Sequence, residues 1–140
     1  MIRVQRDPFD VGEAYGRLIS GLEGKVGGVA MFVGLVRDFS QAGEDVRRMT
    51  LEHYPGMAEK ELERLVEEAS QKWELLGHVL IHRYGALELG EPIVLVMTAA
   101  ARREAALSAC SFLIEWLKTR APFWKLEEDS QGRERWVEGE

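Results

Sequence analysis

One cysteine in 140 residues excludes an internal disulfide, and without a Cys-x-x-Cys pair there is no thiolate metal or redox centre to look for. Histidine is almost as scarce, at three. His78 and His82 stand four apart, but no carboxylate or third ligand has the spacing of a zinc site, so both read as structural or surface histidines and no metal is expected. Basic residues are outnumbered, 18 Lys and Arg against 24 Asp and Glu, which argues against a nucleic-acid partner, since neutralising phosphates needs a basic face. No apolar run is long enough to cross a bilayer, and Met1 to Asp7 lack the apolar core of a signal peptide, so a soluble, cytoplasmic chain without a membrane partner is expected. Repeats, low-complexity tracts, the Gly-x-Gly-x-x-Gly fingerprint and the P-loop are missing as well. The four prolines and 14 glycines punctuate the chain rather than form a linker, and a single domain over residues 1–140 follows.

What is present is a core's worth of apolar residues, 46% of the chain, arranged with alternating periods. A short strand is expected over 2–6. Asp10 with Glu13 then forms a capping box that opens a helix with Val11, Tyr15, Leu18, Ile19 and Leu22 on its inner face. Val26 to Arg37 is nearly all apolar and reads as a strand buried on both faces, closed by Arg37. Residues 38–46 are polar enough for a mobile loop, a candidate lid. Arg47 to Tyr54 alternates as a strand and ends at Pro55-Gly56. A helix from about Met57 to Trp73 follows, with Ala58, Leu62, Leu65, Val66, Ala69 and Trp73 inward. Gly77 to Tyr84 reads as a strand, Gly85 to Pro92 as a loop, and Ile93 to Ala99 as a central strand. Ala105, Ala106, Ala109, Phe112, Leu113, Trp116 and Leu117 keep helical spacing from Arg102 to Arg120, with Cys110 in the core. Leu126 to Glu128 and Arg133 to Val137 pair as a hairpin across Asp129-Ser130-Gln131-Gly132.

The stretch Leu117-Lys118-Thr119-Arg120-Ala121-Pro122-Phe123-Trp124-Lys125 is the candidate site. Pro122 ends the helix and pushes Ala121 out of helical geometry. Phe123 and Trp124 are expected to bury and hold Lys125 back toward Lys118. Cations near a helix C-terminus followed by proline are also an ordinary stop signal. Arg102 and Arg103 oppose the dipole at the other end of the same helix, a placement that suits a nearby anion. With an acidic overall balance, this concentration of cations would attract a small anion without making the whole surface sticky.

Several ordered segments resemble one family: Phe32 to Arg37, Leu51 to Lys60, Ile81 to Gly85 with Gly90-Glu91, Leu117 to Lys125, and Arg135-Trp136-Val137-Glu138. The chain is similar through most of its length to the large, catalytic subunit of molybdopterin synthase, the MoaE family. The resemblance implies an α+β, two-layer fold of largely antiparallel sheet with helices packed on it, in the MoaE-like hammerhead manner. It also implies a homodimer that binds two small ubiquitin-like subunits of the MoaD type, giving a heterotetramer. The implied activity is that of a sulfurtransferase without a cofactor. Sulfur passes from the thiocarboxylated Gly-Gly tail of the small subunit to cyclic pyranopterin monophosphate, building the dithiolene of molybdopterin in molybdenum cofactor biosynthesis.

Position by position, Lys118 and Lys125 match the family's two active-site lysines, Arg37 its strand-end arginine, and Arg103 the arginine of its Ser-x-His-Arg motif. Arg and Lys suit a pocket that brings a phosphate and a thiocarboxylate together. Lys118 is assigned to the tail and the chemistry, Lys125 to charge stabilisation and proton transfer, and Arg37, Arg102 and Arg103 to substrate binding. The motif departs here to Ala100-Ala101-Arg102-Arg103. Arg102 holds an anion as the family histidine would, but it exchanges no proton near neutral pH. A catalytically degenerate paralogue that only binds the small subunit is the alternative this departure leaves open.

Overall fold

The computed structural model describes residues 1–40 and 43–137; Gln41 and Ala42 of the candidate lid and Glu138 of the last family segment lie outside them. Two four-stranded sheets are formed. The first takes β1 (Ile2–Gln5), β4 (Gly77–Arg83), β6 (Pro92–Ala100) and β2 (Gly28–Leu35) in the order β1-β4-β6-β2. β1 runs parallel to β4, whereas β6 is antiparallel to both of its neighbours. The second takes β5 (Gly85–Glu88), β3 (Arg48–His53), β7 (Phe123–Glu128) and β8 (Glu134–Val137) in the order β5-β3-β7-β8, all antiparallel.

The period-two pattern of β4 and β6 divides the first sheet into two faces. Leu80, Val94, Val96 and Ala100 meet α2 (Met57–Trp73) and α3 (Arg103–Arg120) on one face, while Val79, Ile81, Leu95 and Met97 meet α1 (Val11–Ile19) on the other. A smaller cluster joins Met49, Leu51 and Leu87 of the second sheet to Val36, just past β2, with Ile93 packed against it. Burial on both faces is what makes β6 read as one uninterrupted apolar run.

Local chemistry sets most boundaries. The Asp10 carboxylate accepts from the Glu13 amide at 2.9 Å and caps α1. At α2 the Gly56 amide donates to the Glu59 carboxylate at 3.1 Å, with Gly56 itself at φ 81. Ala58, Leu62, Leu65, Val66 and Ala69 are buried, as their spacing requires. The hairpin of β7 and β8 turns at Asp129, whose carboxylate accepts from the amides of Gln131 and Arg133.

Four expectations are corrected. Gly85 to Glu88 is a strand rather than a loop, because β3 offers it an open edge over four paired positions. In α1 it is Ala14, not Tyr15, that is buried beside Leu18. Trp124 points outward at 42% exposure, since alternation along β7 leaves only one of two adjacent aromatics inside. β2 is not buried on both faces either: it is the edge of its sheet, and Met31, Phe32 and Leu35 are exposed. Among the described residues no helix is long and apolar enough to cross a membrane.

Candidate functional site

α3 stops where Pro122 forbids continuation. Ala121 takes extended geometry at φ -78 and ψ 131, and the Phe123 amide closes a tight turn on the Ala121 carbonyl at 2.9 Å. Arg120 secures the helix end from outside by pairing with Glu61 and Glu68 of α2, so it belongs to the helix contact and not to the site. The chain then enters β7, whose register against β3 sets Phe123 opposite His53 and Lys125 opposite Leu51.

Between this turn and the first sheet lies a cavity of about 170 Å³. Lys118 reaches it from the last turn of α3 and Lys125 from β7, while Phe32, Val94, Ile114 and Phe123 supply apolar wall. Two lysines from different elements therefore line one partly open cavity. Charge-assisted contacts to an anion gain strength in such surroundings, because apolar walls keep the competing water away. Gly34 of β2 also lines the cavity, and a Cβ there would come within 2.9 Å of Val94 Cγ1.

His82 is the lining residue that the sequence reading passed over. It is 5% exposed, and its ring stacks on Phe123 with centroids 3.7 Å apart and planes 14° from parallel. Nδ1 lies 2.9 Å from the Arg83 carbonyl. Burial, with Lys125 adding to it, pushes the imidazole down from 6.5 to about 4, against the opposing effect of the Arg83 carbonyl. The available signal was alternation: His82 shares a face of β4 with the core residue Leu80. His78, by contrast, faces the N-terminus, whose amine lies 3.2 Å from His78 Nδ1.

The arginines are placed differently. Arg37, just past β2, is exposed; its Nε donates to the Phe39 carbonyl at 2.9 Å and its guanidinium covers the Phe39 ring. Arg102 is the N-cap residue of α3 and Arg103 its first residue, with the Arg103 side chain 83% exposed and Glu104 3.6 Å away. Arg103 and Lys118 sit near opposite ends of an 18-residue helix, which at about 1.5 Å per residue separates their Cα atoms by roughly 22 Å. One chain thus brings the two lysines together and leaves Arg37, Arg102 and Arg103 out of the cavity wall.

A second group missed in the sequence lies on the strand that carries Lys125. Glu127, two residues along and on the same face of β7, is buried and lies 3.4 Å from Arg135 of β8. Arg135 in turn reaches Glu44 and donates to the Asp45 carbonyl. The loop segment is drawn onto this brace, and Phe39 and Asp45 bridge across its base.

The MoaE protein family matches residues 4–120. The molybdopterin synthase catalytic subunit of Pseudomonas aeruginosa is 52% identical over 138 residues, covering 99% of this chain and 90% of the relative. Among solved structures, the molybdopterin biosynthesis MoaE protein from Burkholderia ambifaria MC40-6 superposes with a TM-score of 0.83 at 42% identity, over 99% of this chain and 89% of that one. Molybdopterin synthase from Staphylococcus aureus gives a TM-score of 0.85 at 28% identity, over 96% and 94%.

Proposed function

The chain belongs to the MoaE family, and from that premise we infer that it is the catalytic subunit of molybdopterin synthase. It is a sulfurtransferase that takes sulfur from the thiocarboxylated C-terminus of a small ubiquitin-like subunit and delivers it to cyclic pyranopterin monophosphate. The observation that carries the assignment of chemistry to residues is the convergence of Lys118 and Lys125 on one apolar cavity. A thiocarboxylate and a cyclic phosphate repel one another, and paired ammonium groups offset that repulsion while apolar walls exclude water. Lys118, on the helix end beside the cavity, contacts the tail and takes part in the transfer. Lys125, held in register by β3, stabilises developing charge and carries a proton. In each transfer the thiocarboxylate sulfur bonds to a pterin side-chain carbon as that carbon's bond to an oxygen breaks, and water then hydrolyses the resulting thioester, leaving the sulfur on the pterin and releasing the tail as a carboxylate.

The arginines enter through a second copy of the chain. β2 is an edge strand with exposed Met31, Phe32 and Leu35, the kind of surface that pairs with its own copy across a two-fold axis. α3 runs along β2: its Arg103 end lies against Gly28, where an added Cβ would sit 3.4 Å from Arg103 Cα, and its Lys118 end lies near Gly34. Antiparallel pairing of β2 with its copy sets Gly28 of one chain near Leu35 of the other. The Arg102–Arg103 end of each chain then approaches Arg37 and the cavity of its mate, and the set of five cations is completed between chains. Two small subunits on such a dimer make the heterotetramer, and the cytoplasm is its compartment.

The test is conversion of cyclic pyranopterin monophosphate to molybdopterin by the purified chain and thiocarboxylated small subunit, with Lys118→Ala alongside. Product from the native chain that disappears in the variant supports the reading. A stable complex that yields no product would replace it with a binding paralogue, and Arg102 in place of histidine would be the first position to revert.

A further inference from the structure

We propose that His82 is a ligand-binding residue of the cavity, with its Nε2 lone pair accepting a hydrogen bond from an N–H donor on the molecule held by the two lysines. The proposal rests on the synthase reading only for the identity of that molecule. Among the described lining residues, His82 is the one polar side chain that is not a lysine. Lysine ammonium groups donate and cannot accept, so without His82 the described lining would offer its occupant positive charge and apolar contact but no side-chain acceptor.

Three contacts fix what the ring presents. The Arg83 carbonyl, 2.9 Å away, can only accept, which puts the proton of the neutral imidazole on Nδ1 and leaves the lone pair on Nε2. Stacking on Phe123 holds the ring plane. Phe123 and Lys125 alternate onto the same face of β7, so the residue that clamps the ring is one strand step from the residue that supplies charge. Among the described residues the His82 ring has its hydrogen bond at Nδ1 and none at Nε2, and His82 borders the cavity. An acceptor left open to an apolar cavity is costly unless something donates to it. The low affinity of this imidazole for a proton, with a value of about 4, keeps it an acceptor throughout the neutral range.

The cavity's two prospective occupants both carry such a donor next to an anion. The tail of the small subunit has peptide N–H groups beside its thiocarboxylate, and the pterin has ring N–H groups in the same molecule as its phosphate. The donor chemistry is common to both, so each is tested by its own arm. In the first arm the small subunit in its carboxylate form is titrated into the native chain and into His82→Phe and His82→Gln, which needs no turnover. In the second arm KM and kcat for the pterin are measured with the same three proteins. Phenylalanine keeps a ring for Phe123 and removes the acceptor; glutamine returns an acceptor near the Nε2 position.

The expected result is a loss of about tenfold in tail affinity or a rise of about tenfold in pterin KM for His82→Phe, the size of one buried hydrogen bond, with at least partial recovery in His82→Gln. Affinity and KM both within about twofold of native for His82→Phe overturn the proposal, as does a glutamine variant no better than phenylalanine. A readout that depends on no variant folding is the 15N resonance of the unprotonated His82 nitrogen in the native protein. It moves upfield when either ligand donates to it, and no movement with both ligands at saturation means that water alone meets this nitrogen. Native protein that makes no product while its His82 resonance still responds to the tail would sink the synthase reading and leave His82 in place.

Discussion

The two ends of α3 carry similar charges and have opposite fates. At the C-terminal end Lys118 opens onto a cavity that Lys125 of β7 lines from the other side; at the N-terminal end Arg102 and Arg103 are exposed, with Glu104 3.6 Å from Arg103. Both ends rest on β2, one at Gly34 and the other at Gly28, so the same strand seats a finished half-site and an unfinished one. The difference teaches that charge clustered in sequence need not cluster in one molecule. A helix of this length separates its ends by more than two side chains can bridge, and the pairing of two copies proposed above would return them to a common place.

The largest effect expected is at the finished end. Lys118→Ala should lower molybdopterin formation by at least about a hundredfold, the range for removing a group that acts on the reacting atoms, with an unchanged melting temperature because the side chain is exposed. Next in size, Arg103→Ala should cost about tenfold or more in turnover, and it carries the sharper test. Mixed dimers of Arg103→Ala and Lys118→Ala chains contain one site with both residues intact if sites are shared, and their activity should exceed the mean of the two parents. Mixtures that stay at that mean after subunit exchange would return all five cations to one chain and break the comparison.

A third test uses pH at the cavity end. His82 takes a proton at about 4 in the folded chain against an ordinary 6.5, so above 6.5 the imidazole is neutral in both states and adds no pH dependence. As pH falls below 6.5 the unfolded chain binds a proton that the folded one refuses, and stability is lost progressively down to about 4, by up to about 3 kcal/mol. Urea unfolding at pH 7.5 and 4.5 should show His82→Phe losing less stability over that interval than the native chain. A parallel loss in both proteins would mean that His82 charges as readily when folded. The smallest effect is expected from Arg102→His, which restores the family residue at the open end and should leave turnover equal to or above native. A large loss would give Arg102 a role of its own.

The lysine pair was legible because proline, which ends a helix by geometry alone, sits between its members, and α2 was legible because a regular stripe of buried residues has no alternative partner. Other features were hidden for reasons that lie outside local sequence. β5 has four residues and exists because β3 accepts it. The face of α1 turned on whether Ala14 or Tyr15 met the sheet, and small residues give little signal of burial. The apolar run of β2 reads as a strand buried on both faces, yet β2 is a sheet edge with Met31, Phe32 and Leu35 exposed, because period and composition are silent on whether a strand's cover lies in the same chain. His82 was set aside because two histidines at even spacing on a strand invited a metal question, and the rejection of a metal ended the search. Its role as an acceptor emerges only when Phe123, 41 positions later in the chain, is seen lying on its ring.

The open edge of β2 also bears on how the chain matures. Among the described residues one edge of Gly28–Leu35 has no strand beside it, and Met31, Phe32 and Leu35 stand exposed along it. Such an edge pairs with any extended segment it meets, and newly made chains are crowded with extended segments. Under the proposed pairing, assembly of like chains would therefore compete with aggregation during synthesis. Slow, cool expression should favour the dimer, and a charged residue at Leu35 should give a chain that stays dispersed yet never completes a site.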